Sequence, residues 1–261
     1  MHFINNRMIN FNNKYSSWYM KRKIKQIWKR LGYTVFITFI LIQIYLFVRI
    51  HWFTLCIIPT YSMSPTLQGG DYILASLQIP GRRLVEEDEK YGYKKIHRLK
   101  GSRSVRKNDV VVFNYPYSES KEKMVLSTNI YFCKRCVAVP GDTYQWYING
   151  NFEQIYLPKV GDVLPIDSCN YKSYRSCIEY ETGYPLKMEA GLVYLADTLL
   201  HEYHFRHNYY FMRGDNVDHS YDSRYWGLLP DDFILGVGKT IWFSRDLETG
   251  EIRWCRMFKK L

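Results

Sequence analysis

Seventeen consecutive residues, Gly32 to Val48, carry no charge, and this run limits what the chain can become. Its length is at the short end for a membrane-spanning helix. Arg49 and His51 interrupt it. An arginine can lay its stem along apolar surface and keep its head in water, and Trp52-Phe53 read as an interfacial belt, with Trp18, Tyr19 and Trp28 on the opposite side. Residues 1–70 hold nine Lys/Arg and no acid, whereas residues 71–261 balance 27 basic residues against all 25 acids, so the net charge of +11 is concentrated at the N-terminal end. A nucleic-acid binder spreads its basic residues over a folded face. A block that ends where an apolar run begins reads as a cytoplasmic flank on a lipid bilayer, with no nucleic-acid partner. A cleaved signal peptide and a buried core helix are the competing readings. The charged leader is long for the former and no Ala-x-Ala-like site follows. The expectation is a basic cytoplasmic N-terminus over 1–31, a retained anchor over 32–53 and everything beyond outside.

Past the anchor, aromatic and β-branched runs recur between Gly, Pro, Asn and Asp, which favours β structure. Strands are expected at Asp71–Leu77, Asp109–Tyr115, Ile130–Val139, Thr143–Ile148, Phe152–Leu157, Leu192–Ala196, Asn208–Met212 and Phe233–Phe243. Asn149-Gly150 is a hairpin signal. No amphipathic helix of useful length is expected there, and no internal repeat is visible. Gly81–Asn108, with ten Lys/Arg and four acids, reads as a surface excursion, either a solvated loop or a basic face near anionic lipid. Residues 150–205, rich in Tyr and polar residues, read as a subdomain inserted between two halves, 54–149 and 206–261, of one β domain. Cys133 and Cys136 fall on opposite faces of a strand and make a poor metal or redox pair. Cys169 and Cys177 flank a polar loop and are expected to be disulfide-bonded. His201, His204 and His207 resemble a metal site in spacing, yet neither helix nor strand brings all three to one face, so no metal and no cofactor is expected.

The stretch Pro59-Thr60-Tyr61-Ser62-Met63-Ser64-Pro65-Thr66-Leu67 cannot enter a helix interior or a central strand, because two prolines fix φ and remove two donors. It can hold a serine hydroxyl still against an apolar surface, or be a plain linker. A serine needs a base. None of the seven histidines has a suggestive setting, but a buried lysine can be neutral at working pH. In Tyr131-Phe-Cys-Lys-Arg-Cys-Val-Ala-Val139 the strand alternation sets Lys134 on one face with Phe132, Cys136 and Ala138. A lysine snorkelling from an edge strand is the alternative. The loop Arg213 to Gly227 carries Asp215, Asn216, Asp218, Ser220 and Asp222, which could ligate calcium, but the EF-hand spacing fails. It can instead act as a scaffold, with Asp222 and Arg224 paired and Ser220 orienting the lysine.

Four segments together resemble the bacterial type I signal peptidases, the membrane-bound serine proteases that remove signal peptides from exported proteins. Ser62-Met-Ser-Pro-Thr-Leu67 with Gly70-Asp71 is similar to the family's nucleophile box. Lys107-Asn-Asp-Val-Val-Val-Phe113 and Lys134-Arg135 with Val139-Pro-Gly-Asp142 are similar to the next two. Gly214-Asp-Asn-x-Asp-x-Ser-x-Asp-Ser-Arg-Tyr-Trp-Gly227 is similar to the last. The resemblance implies coiled antiparallel β-sheets, Ser62 as nucleophile, Lys134 as general base, Thr60 at the oxyanion hole and Ser220 orienting Lys134. It implies structural support from Asp215, Asp222 and Arg224, and pockets lined by Ile58, Pro59, Met63, Leu67, Tyr131 and Phe132. The implied substrates are preprotein signal peptides cut after small residues, Ala-x-Ala-like. Val217 stands where the family commonly has arginine and Asn108 where it often has glycine. Three other readings remain open at this point: a peptidase of the same type dedicated to pilins or conjugation proteins, a self-cleaving repressor-like peptidase, and a non-catalytic membrane-tethered β domain.

Overall fold

Residues 2–88, 93–117, 123–126, 130–148 and 150–261 are described in the computed structural model; side chains of 2–19, 50, 87, 88 and 93–95 are not, which leaves Trp18, Tyr19 and Asn149 outside the described groups. The first unit is helix α1 (His2–His51). Its stretch Met20–Arg49 is long and apolar enough to cross a membrane, with a mean hydropathy of 2.1 in its most apolar window. Large side chains such as Phe36, Ile37, Leu41 and Phe47 face outward along it. Apolar surface on that scale calls for an apolar surrounding.

The second unit, His51–Leu261, is mostly β. It opens with β1 (Phe53–Ile57), β2 (Asp71–Ser76), β3 (Arg83–Asp88), β4 (Tyr93–Arg98), β5 (Val110–Asn114) and β6 (Tyr131–Ala138). The hairpin β7 (Thr143–Ile148) and β8 (Asn151–Tyr156) follows, then β9 (Val163–Pro165), helix α2 (Tyr171–Thr182), β10 (Leu186–Glu189), β11 (Leu192–Leu195), β12 (Thr198–Leu199) and β13 (Glu202–His204). The chain closes with β14 (Tyr209–Arg213), the short helix α3 (Ser223–Trp226), β15 (Leu229–Pro230) and β16 (Ile234–Ser244). Each expected strand forms, with ends within a residue or two.

Seven strands make an antiparallel sheet in the order β1-β2-β16-β5-β6-β14-β15. The eleven-residue β16 shifts register between Ile234 and Gly236, Gly238 and Thr240, and Ile241 and Phe243, and so bends to serve β5 at one end and β2 at the other. Such bulges add twist and coil the sheet. Every residue of β5 is buried, and alternation divides them: Val111 and Phe113 enter one core, Val110 and Val112 another. The sheet thus covers a core on each face.

Two expectations need correction. First, residues 150–205 contain α2, whose Tyr171, Tyr174, Cys177 and Ile178 form a buried stripe packed with Leu157, Leu186, Phe205 and Tyr209. Tyrosine count hid the 3.6-residue period, because two of these positions carry a hydroxyl on a buried ring and a third is a thiol. Second, Cys169 is exposed, Cys177 is buried, and both thiols are free. The helix rises about 1.5 Å per residue, so the turn and a half between Tyr171 and Cys177 carries the two sulfurs out of bonding range. In the excursion 81–108, β3 and β4 pair, and two of its arginines turn inward: Arg83 donates to Asn114 Oδ1 at 2.7 Å and Arg98 to Ile234 O at 2.8 Å.

The chain's last residues clamp the turn that follows the Ser62 loop. Gly70 has φ +88°, and a Cβ there would sit 1.8 Å from Arg245 O. Asp71, fully buried, accepts from Arg256 Nη2 at 2.6 Å and Ser244 Oγ at 2.6 Å. Arg256 also donates to Thr66 O at 2.9 Å, and Arg253 to Gln68 Oε1 at 2.8 Å and to Gly69 O. Removing one partner strands a buried charge. Arg256→Ala is therefore expected to cost about 3 kcal/mol of stability, read by denaturant unfolding of the detergent-solubilised protein.

Candidate active site

Two short backbone bonds tie the ends of the Ser62 loop: Ile58 N donates to Asp71 O, and Gly70 N donates to Ile58 O, both at 2.8 Å. From beneath, Met63 and Leu67 plug into the core with Ile73, Val112 and Ile241. With an apolar plug on each side of Ser64 and Pro65, the loop has little freedom, and Ser62 is left half-buried at its surface. Leu67, expected in a pocket wall, is 0% exposed in this core floor and is not among the described residues that line the cleft at Ser62.

Lys134 reaches this serine from β6, where Val111 of β5 is its register partner. It is 4% exposed, and its Nζ donates to Ser62 Oγ at 2.5 Å. Burial pushes the lysine pKa below its ordinary value of 10.5, since the ammonium loses water; nearby thiol and carboxylate groups recover only part of that. Its Nζ lies 5.7 Å from the Phe132 ring centroid. Thr60 Oγ1 is 3.3 Å from Ser62 Oγ.

The loop from Gly214 to Trp226 closes over the pair. Asn216 N donates to Ser62 O at 3.1 Å. Asp215 accepts from Arg135 Nε at 2.7 Å and Nη2 at 2.6 Å, and Arg135 Nη2 also donates to Thr66 Oγ1 at 3.3 Å. Burial by itself would raise the Asp215 carboxyl, but the Arg135 guanidinium outweighs it and holds the group below the usual carboxylate range. Asp222, fully buried, caps α3 and accepts from Gly214 N at 2.9 Å and Arg224 Nε at 2.8 Å. A Cβ on Gly214 would lie 2.1 Å from Ser220 Oγ and 2.5 Å from Ser62 O, so only glycine lets the loop approach this closely. Ser220 is buried, and its hydroxyl has no hydrogen-bond partner among the described residues. Lys134 donates to Ser62 in this arrangement, and the expected Ser220–Lys134 bond is not made.

A cleft of about 290 Å³ opens at the serine. Ile58, Pro59, Met63, Tyr131 and Phe132 line it, together with Cys56, Ile57, Val112, Cys133, His219 and Tyr221. Sequence reasoning missed the latter group. Val112 alternates with Val111, the partner of Lys134, and Cys133 adjoins the lysine, but no local signal marks Cys56 or Tyr221. The histidines do not meet: His207 Nδ1 lies 3.3 Å from Asp231 Oδ1 and 3.5 Å from Asp232 Oδ2, while His204 is exposed beside Glu202. Tyr180 OH and Asn208 Nδ2 donate to those two aspartates, so the cluster is hydrogen-bonded within the protein.

A coiled antiparallel β domain behind an apolar helix, with a serine hydroxyl against a buried lysine, defines a class of anchored β proteins with a Ser–Lys pair. Comparison with known proteins narrows it. Residues 28–243 match the family described as signal peptidase, peptidase S26, and the chain belongs to that family. It is 30% identical to signal peptidase I of Pseudomonas aeruginosa over 218 residues, covering 72% of this chain and 63% of that protein. Signal peptidase I of Aquifex aeolicus is 28% identical, over 79% of this chain and 82% of the relative. The Buchnera aphidicola (subsp. Acyrthosiphon pisum) protein of the same name is 26% identical, over 96% and 86%. The chain thus spans less than two thirds of the length of the Pseudomonas relatives it matches.

The lowered pKa of Lys134 has a consequence for stability. Between the folded value and 10.5, the unfolded chain binds a proton that the folded protein does not, so stability rises with pH through that window. Lys134→Met is expected to flatten this rise in denaturant unfolding measured at a series of pH values.

Proposed function

We propose that the protein is a membrane-bound serine endopeptidase that removes N-terminal signal peptides from exported preproteins, with Ser62 as nucleophile and Lys134 as general base. The observation that carries this reading is the 2.5 Å approach of a 4% exposed lysine amine to the serine hydroxyl. Desolvation favours the neutral amine, which can accept the Ser62 proton as Oγ attacks the scissile carbonyl. The oxyanion is stabilised by the Ser62 backbone N–H and the Thr60 hydroxyl. The C–N bond then breaks and Lys134 returns its proton to the leaving amine. Water, deprotonated by the same lysine, hydrolyses the ester and frees Ser62. Ser220, buried and without a partner, steadies the amine once it has taken the proton, while Asp215, Asp222 and Arg224 fix the loop that carries it.

The substrate enters extended, with alternate side chains in the cleft. The room between Ile58, Pro59, Met63, Tyr131 and Phe132 suits small residues at the first and third positions before the cut. In this reading residues 1–31 are cytoplasmic, 32–53 span the inner membrane, and the catalytic halves 54–149 and 206–261 with the inserted 150–205 lie outside.

Incubating the detergent-solubilised protein with a preprotein tests this. Ser62→Ala, Lys134→Ala and Lys134→Arg are expected to be inactive, the last because a guanidinium does not give up its proton. Thr60→Ala is expected to lose about 10²–10³-fold in kcat, and Thr60→Ser to stay close to the parent rate. Product released by Lys134→Arg would remove lysine from the mechanism.

A further inference from the structure

We propose that a second pocket, reached past Tyr221, binds the stretch of preprotein that follows the cut; this rests on the endopeptidase reading above. The pocket measures about 470 Å³, a size that holds a few residues of an extended chain. Its walls come from three places. Tyr115 and Trp226 belong to the catalytic β domain, Trp146 to the β7–β8 hairpin, and Lys172 and Ser176 to α2.

Two observations mark it as a site. The first is continuity with the cleft. Tyr221 lines both spaces. Phe132, in the cleft wall, stacks on Tyr115 with ring centroids 4.8 Å apart, and Tyr115 lies 6.3 Å from the Tyr221 ring. Three neighbouring rings, Phe132, Tyr115 and Tyr221, thus join the cleft to the pocket. The second is unsatisfied hydrogen bonding. Trp226 is 5% exposed, and its indole Nε1 has no acceptor among the described residues; the Trp146 Nε1 is in the same state. Buried indole donors ordinarily find an acceptor. Both residues line the pocket, so a ligand that supplies carbonyl oxygen and side chains that pack on aromatic rings would answer them. A polypeptide has both.

The direction follows from polarity. Cys56, Ile57 and Val112 line the cleft and not the pocket, and this apolar side suits the residues of an apolar signal peptide before the cut. Chain leaving on the other side belongs to the mature protein. It meets rings, indole donors and the opposed charges of Lys172 and Glu153. The inserted segment thereby gains a task, lengthening the substrate channel on the product side.

Two peptides with the same signal-side residues test this, a short one stopping just past the scissile bond and a long one carrying a further stretch of mature chain. The parent protein is expected to favour the long peptide in kcat/KM. Trp146→Phe, which keeps a ring and removes the donor, is expected to cut that preference by about three- to tenfold, the size of one neutral hydrogen bond. Lys172→Glu tests the pocket from α2 and is expected to lower the same ratio. A mature-side peptide without a scissile bond, titrated against the full-length Ser62→Ala protein, is expected to change tryptophan fluorescence saturably and to bind more weakly to Ser62→Ala carrying Trp146→Phe. Equal slowing of both peptides in each variant, or no binding of the mature-side peptide, overturns the proposal. If the parent protein cleaves neither peptide, the endopeptidase reading fails, and the titration alone decides the pocket.

Discussion

The structure depends on keeping water away from one amine. Lys134 sits on a strand whose neighbours bury it, and losing hydration is what lowers its proton affinity. That cost has to be met by the rest of the fold. Register with Val111 fixes the lysine along β6, the plugged loop holds Ser62 opposite it, and the Gly214–Trp226 loop closes the remaining side.

Three buried or half-buried carboxylates do the bracing, each with its own arginine: Asp71 with Arg256, Asp215 with Arg135, Asp222 with Arg224. Such pairs add little net stability over an apolar replacement, but they fix geometry and punish any register in which one partner is missing. Asp71 on β2 and Arg135 on β6 thereby tie loops to the sheet. Arg135 links the Ser62 loop to the Asp215 loop through Thr66, and Arg256 links the same loop to the end of the chain. The clasp formed by Arg253 and Arg256 lies beyond residues 28–243, the part that matches the family.

The region 150–205 solves a different problem. It is polar in composition yet carries a core, because tyrosines bury their rings and aim hydroxyls at fixed acceptors. Glu181 accepts from Tyr203 OH at 2.9 Å and Tyr209 OH at 2.7 Å, while Tyr171 OH donates to Leu186 O at 2.8 Å. Burial and that carboxylate together raise the Tyr209 hydroxyl well above its usual pKa, so it stays a donor. The same chemistry supplies aromatic walls to the pocket beyond Tyr221.

By itself the sequence determined the apolar helix and the principal strands, since each is written in local pattern, a charge-free run or period-two alternation. Ser62 and Lys134 stood out only through the family resemblance, local pattern leaving a plain linker and an edge lysine open. Helix α2 escaped, because its apolar stripe is made largely of tyrosine, and with it went the expected Cys169–Cys177 bond. Leu67, Cys56 and Tyr221 were decided only by tertiary structure. Whether a side chain from one segment faces the core or the cleft depends on what another, distant in sequence, brings to it. The bends of β16 and the closure of the Gly214–Trp226 loop make those choices, and no local window of residues contains them.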